Sequence, residues 1–258
     1  MFIPKTERIE SIVSDAPEII EEMNSVFGSS ARIYIDYANV RPWSEKLGWH
    51  IELKRLKQFL DSFDVIKAAN FYSGYLDGNE QSKRELKDAE DQKYFVRTKP
   101  VKIMQFPIKA SSVPKDSTAI LDHFIRRALL RKYEVGTIEY LNERFIDMNR
   151  KGEYYIEDRK CNFDVEISTD MILDFERDET ETFILWSGDS DFTDTIEKLL
   201  RAGKRVVLFA TTRKVSKELS SLVSSGLFIF DIQKIRNFIC WKKEIECKRG
   251  HSEVVPKL

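Results

Sequence analysis

The sequence predicts an α/β protein: a Rossmann-like three-layer sandwich with a mostly parallel central sheet and a helical insertion. Three observations carry that reading. Apolar runs of strand length recur along the chain, separated by amphipathic stretches long enough for helices. That alternation builds parallel sheets covered on both faces. Two of the runs, Arg32-Ile-Tyr-Ile-Asp36-Tyr-Ala-Asn39 and Phe183-Ile-Leu-Trp186-Ser-Gly-Asp189-Ser-Asp191-Phe192, end abruptly in carboxylates and small polar residues. Finally, 258 residues suffice for one substantial core, or a large domain carrying an insertion.

The elements follow in order. Residues 1–30 read as a polar leader with one weak amphipathic helix near Pro17 to Phe27. Arg32–Asp36 is the first strand. Ile51, Leu53, Leu56, Phe59, Leu60 and Phe63 stand at helical spacing, and Val65–Tyr72 is a second strand. A charged helix is expected from Asn79 to Val96, then a third strand over Val101–Ile108. Between about 111 and 155 the alternation breaks. Ser111-Ser112-Val113-Pro114 reads as a turn, and helical stretches at about 116–133 and 137–149 form the insertion. Phe163–Phe175 is a further helix. Phe183–Ser187, Arg205–Ala210 and Leu227–Phe230 are strands, with helices over 191–202 and about 213–224 between them; Ala202-Gly203 stops the first of these. Residues 233–258 are expected to hold a C-terminal helix, Gln233 to His251, and a basic tail.

Composition narrows the function classes. Charged side chains make up 33% of the chain, yet 42 basic and 43 acidic residues nearly cancel, so no global positive field exists and nucleic-acid binding must use local patches. Cys161, Cys240 and Cys247 form no C-x-x-C pair, which argues against a disulfide framework or zinc cluster and for a reduced, cytoplasmic protein. His50, His123 and His251 carry no metal-ligand spacing. No apolar run reaches the roughly 18 residues of a membrane span, and the N-terminus lacks a secretion signal. No G-x-G-x-x-G follows the first strand and no Walker loop is present, which disfavours nucleotide cofactors.

Open α/β sheets bind ligands at the carboxyl ends of their strands, so the acids there face a shared crevice. Converging aspartates repel one another unless a cation holds them, and magnesium or manganese prefers such oxygen donors. Asp36 and Asp189 end strands. Asp191 follows at a helix start, where it could also serve as a cap. Asp164 opens the helix Asp-Val-Glu-Ile-Ser-Thr-Asp170. Asp170 is six positions on, about 120° out of phase on a straight helix, and so ranks below Asp164. Asn39, Ser187 and Ser190 are candidate orienters of carboxylates or water. An aspartate after a strand is ordinarily a turn or cap residue; the joint pattern is what points to an acidic site.

These residues resemble a known family. Asp36-Tyr-Ala-Asn39-Val is similar to the first-strand motif of NYN domains, which belong to the PIN-like nuclease superfamily. Lys160-Cys-Asn-Phe-Asp164-Val-Glu-Ile-Ser-Thr-Asp170 resembles their second motif, with Cys161 where glycine is expected. Ser187-Gly-Asp189-Ser-Asp191-Phe192 resembles their most specific one, followed by the turn Ala202-Gly203-Lys-Arg-Val-Val. The resemblance spans roughly 31–231, apart from the region near 111–155; the domain is expected over 31–232. It implies a PIN-like fold and a ribonuclease dependent on a divalent cation, magnesium (Mg2+) or manganese (Mn2+). The implied acidic residues are Asp36, Asp164, Asp189 and Asp191, with Asp170 less central. Single-stranded or structured RNA is the implied substrate.

Several basic segments are candidate phosphate contacts, each of a kind that more often forms a solvated helix face: Arg97 to Lys102 leading on through Lys109, Arg126-Arg127 with Arg131-Lys132, Lys204-Arg205, and Arg213, Lys214 and Lys217. The last group follows a strand that opens on the same crevice. Trp43 and Trp49 flank the loop after Asp36 and could stack bases, or could pack beneath that loop. Trp186 belongs to the core. The insertion offers a place for a protein partner or a second copy. Two rival readings stand beside the nuclease. One is a non-catalytic RNA-binding adaptor. The other is a small-molecule phosphatase, which the lack of a second acid at Ala38 counts against.

Overall fold

A computed structural model describes residues 1–107, 113–211 and 215–241. Its strands are β1 (Ala31–Asp36), β2 (Ile66–Tyr75), β3 (Phe95–Pro100), β4 (Lys102–Pro107), β5 (Tyr155–Lys160), β6 (Thr182–Trp186), β7 (Arg205–Ala210) and β8 (Phe228–Asp231). Six of them form one sheet in the order β3-β2-β1-β6-β7-β8, and every neighbouring pair is parallel. From β1 the chain steps outward through β2 to β3. It then crosses to the other side of β1 and steps outward again through β6, β7 and β8. The reversal places a topological switch point between β1 and β6, where such sheets open a crevice beyond their carboxyl ends. All of β6 is buried, which is why Thr-Phe-Ile-Leu-Trp reads as an unbroken run.

The helices are α1 (Glu7–Asp15), α2 (Pro17–Phe27), α3 (Tyr37–Val40), α4 (Trp43–Leu47), α5 (Leu53–Leu60), α6 (Glu80–Asp91), α7 (Arg127–Leu130), α8 (Val135–Lys151), α9 (Asp164–Glu176), α10 (Thr193–Arg201), α11 (Lys217–Ser221) and α12 (Arg236–Ile239). Residues 1–30 are more than a polar leader. Thr6 caps α1, Pro17 starts α2, and Ile9, Met23 and Phe27 are fully buried in the main core. Phe27 packs edge-on against Phe63, 5.1 Å between ring centroids. Ile9, Ile12 and Val13 stand at i, i+3 and i+4, the helical signal that the reading of a polar leader passes over.

The third strand also differs from expectation. The charged helix ends at Asp91, Lys93 turns the chain at φ 67°, and β3 begins at Phe95. This edge strand is mostly exposed, so it lacks the apolar signature of a core strand. Residues 101–160 form a second compact unit. Within it β4 pairs antiparallel with β5, so the expected strand over Val101–Ile108 lies in a two-stranded ribbon outside the main sheet; Ile108 is outside the described residues. The insertion is therefore part β. Its expected first helix is broken into a 3-10 turn, Ile120–His123, and α7; the second is α8. Val113, Ile120 and Tyr154 form a small core of its own. The expected turn at Ser111-Ser112 and the tail beyond Trp241 fall outside the described residues. The expected C-terminal helix is observed as a 3-10 turn, Ile232–Ile235, continued by α12. Among the described residues no helix is long and apolar enough to cross a membrane.

Candidate active site

Asp36 ends β1 at the switch point and is 4% exposed. Its Oδ1 accepts the Asn39 backbone N–H at 3.3 Å, which caps α3 and explains the Asp-x-x-Asn spacing. Its Oδ2 accepts the Ser187 hydroxyl at 3.1 Å. Ser187 follows β6, the neighbour of β1, so this bond ties the two acidic motifs together. The lacing continues. Ser187 Oγ accepts the Asp189 N–H at 3.3 Å, and Asn39 Oδ1 accepts the Gly188 N–H at 3.5 Å. Asp189 Oδ1 accepts the Asp191 N–H at 3.2 Å, making Asp189, and not Asp191, the cap of the 3-10 turn Ser190–Phe192. Asp191 is left exposed. The Ser190 carbonyl accepts the Thr193 hydroxyl at 2.6 Å, so the turn leads directly into α10.

Electrostatics link the carboxylates. Burial pushes the Asp36 carboxyl up to about 6; the Asn39 and Ser187 hydrogen bonds oppose that rise, and the charges of Asp164 and Asp189 add to it. Asp164 is raised by burial, then by Asp189 and Asp191, with a hydrogen bond from Asn162 and the Lys99 charge pulling the other way. Among the described residues none of the four acids forms an ion pair. The donors are oxygens only, the chemistry a hard divalent cation prefers. Geometrically the set is open: among the described residues no three His, Cys, Asp or Glu side chains stand ready to hold a metal ion.

Asp170 is employed elsewhere. Glu166, Asp170 and Asp174 recur every fourth residue along one face of α9 and meet cations and phenols on the sheet. Lys99 Nζ donates to Glu166 at 2.6 Å. Arg97 donates to both Asp170 oxygens at 2.6 and 2.7 Å, and Tyr72 donates to the same carboxylate at 2.8 Å. Tyr34 donates to Asp174 at 2.7 Å, with Arg32 3.4 Å away. Asp170 thus belongs to a helix-to-sheet clamp, its carboxylate engaged by Arg97 and Tyr72.

The tryptophans require a second correction. Gly48 ends α4 at φ 74°, and both rings pack into the main core: Trp43 is 3% exposed and Trp49 2%, so neither can stack on RNA. Trp186 is fully buried, as expected. Lys217 is exposed at the start of α11, while Arg213 and Lys214 lie outside the described residues. The residue that sequence reasoning undervalues is Lys99, whose charge reaches Asp164. The acids spaced by four on α9 are the signal that could single it out.

The NYN domain profile matches residues 30–232. The chain belongs to the NYN domain family. With that membership comes a place in the PIN-like nuclease superfamily, and the mostly parallel sheet agrees with it. The chain is 23% identical over 213 residues to the low amplitude and bright protein LabA of Synechococcus elongatus, covering 82% of this chain and 88% of that protein. A crystal structure of a Vibrio parahaemolyticus protein of unknown function matches with a TM-score of 0.49 and 15% identity, covering 83% of this chain and 98% of that one.

Proposed function

We propose that this NYN domain protein is a divalent-metal-dependent ribonuclease, an endonuclease that hydrolyses RNA phosphodiester bonds. The observation that carries the reading is the bond from Ser187 to Asp36, which joins the two most telling family motifs at the switch point and sets their carboxylates in one field. Asp36, Asp164, Asp189 and Asp191 would hold Mg2+ or Mn2+; Asp170 would not. When bound, such an ion supplies Lewis acidity toward a phosphoryl oxygen and lowers the pKa of water. The chain's own part is orientation. The Asn39 N–H and Ser187 hydroxyl fix both Asp36 oxygens, and the Gly188–Asn39 contact holds the two loops together. Hydrolysis on this reading leaves a 5′-phosphate and a 3′-hydroxyl. Lys217, with Arg213 and Lys214, is assigned to the RNA backbone, and the insertion to a protein partner or second copy.

The test is cleavage of labelled single-stranded RNA by the pure chain with manganese. Asp36→Asn and Asp189→Asn should each lower the rate by at least about 100-fold; rates equal to wild type would refute the assignment. A second reading, an RNA-binding adaptor retaining the fold, is motivated by Cys161. It stands where the family resemblance leads one to expect glycine, and burial pushes its thiol up, with the Lys99 charge opposing that rise and the Glu166 and Asp36 charges adding to it. That reading predicts RNA binding without acid-dependent turnover.

A further inference from the structure

On the ribonuclease reading, an RNA phosphate at the switch point would enter the field of Asp36, Asp164 and Asp189, and a protein cation nearby would offset that repulsion. The sheet register shows where one stands. Asp36 pairs with Tyr72 and Tyr72 with Arg97, so these three residues lie level across the sheet, and Lys99 lies two residues beyond Arg97 on the same face, next to the carboxyl end of β3. Its charge pulls Asp164 down, against the burial and neighbouring acids that push it up. Phe163, the residue before Asp164, lies beneath the ammonium, which is 4.5 Å from the ring centroid. These contacts hold Lys99 at the first turn of α9, which Asp164 opens.

How Lys99 is held separates it from its neighbours. Arg97 is bound bidentately by Asp170, which also takes the Tyr72 hydroxyl, so it is committed to the clamp. Lys99 has one contact to one Glu166 oxygen, and both side chains remain part-exposed, 34% and 27%. Such a wet, single-contact pair is weak and readily exchanged for another anion. An ammonium is also a compact charge that swings on a flexible stem. We propose that Lys99 is a phosphodiester-binding residue of the crevice, parked on Glu166 in the free protein and transferred to an RNA phosphate when substrate binds. This rests on the ribonuclease reading for its substrate class, and it predicts opposite roles for two residues that a simple brace would make equivalent.

The experiment measures binding of a fluorescein-labelled single-stranded oligoribonucleotide to the full chain, by anisotropy, in EDTA and over a salt series. Lys99→Gln should weaken binding about 10-fold and reduce the salt slope by about 0.7, the share of one phosphate contact on a single strand. Lys99→Arg should restore most of both. Glu166→Gln, which frees the lysine, should leave binding equal to wild type or tighter. If Lys99→Gln and Glu166→Gln weaken binding alike with an unchanged slope, the pair is only a brace and the proposal falls. It falls too if Lys99→Gln binds as wild type while manganese-dependent cleavage persists, an outcome that leaves the ribonuclease reading intact. Lysine-dependent binding without any cleavage would do the reverse.

Discussion

Asp36 carries its charge where little water reaches it, and the fold is less stable for it. The carboxyl titrates at about 6 in the folded chain against 3.8 for an unperturbed aspartate. Between those values the folded state holds the extra proton, so stability falls as pH rises through that window. At about 1.4 kcal/mol per unit, the destabilisation above pH 6 is on the order of 3 kcal/mol. Asp36→Asn should therefore stabilise the metal-free protein by about 1–3 kcal/mol at pH 7.5. Urea melts should show that gain vanishing near pH 4, where the native carboxyl is already neutral. Asp170→Asn should behave differently. It loosens the grip on Arg97 and Tyr72 and costs about 1–3 kcal/mol, while cation-dependent cleavage stays close to wild type. Equal loss of activity in Asp170→Asn and Asp36→Asn would show that the clamp assignment is wrong.

At the scale of elements, α9 combines two tasks on separate faces. Asp164 opens its first turn, where the charges of Asp189 and Asp191 reach it, and the Glu166, Asp170 and Asp174 stripe fastens the helix to β1, β2 and β3. The six-residue spacing of Asp164 and Asp170 puts them out of phase, so this split is legible in the sequence itself. Other elements are not. β3 is an exposed edge, and β5, within the second compact unit, is Tyr-Ile-Glu-Asp-Arg-Lys with Ile156 exposed; neither shows an apolar run. Burial by partners distant in sequence also seals Trp43 and Trp49, and local pattern cannot report that. The same applies to the N-terminal helices. Met23→Ala, at a fully buried position of α2, should cost about 2–5 kcal/mol in a denaturant melt. A change under about 0.5 kcal/mol, the usual size at surface positions, would mean that α2 is not part of the core.

Across the whole molecule, strand order explains why two short strings outweigh the rest of the sequence. The chain leaves β1 in one direction and returns on its other side, so the residues after β1 and after β6 must flank one crevice. The motifs and the alternation of strands and helices make that much readable from the sequence. Side-chain commitments are not readable there: Asp170 goes to Arg97 and Tyr72, and Asp189 takes the cap expected of Asp191. The first follows from packing between elements far apart in the chain, the second from the local path of the turn. Near-zero net charge agrees with a local phosphate contact at Lys99 better than with a diffuse basic surface.

The central claim is the proposal that Asp36, Asp164, Asp189 and Asp191 hold a divalent ion, and calorimetric titration of the full chain with manganese tests it most directly. Wild type and Asp170→Asn should take up the ion with comparable affinity, while Asp36→Asn and Asp189→Asn should bind it at least about 10-fold more weakly. No uptake by wild type, or equal uptake by all four proteins, would contradict the account.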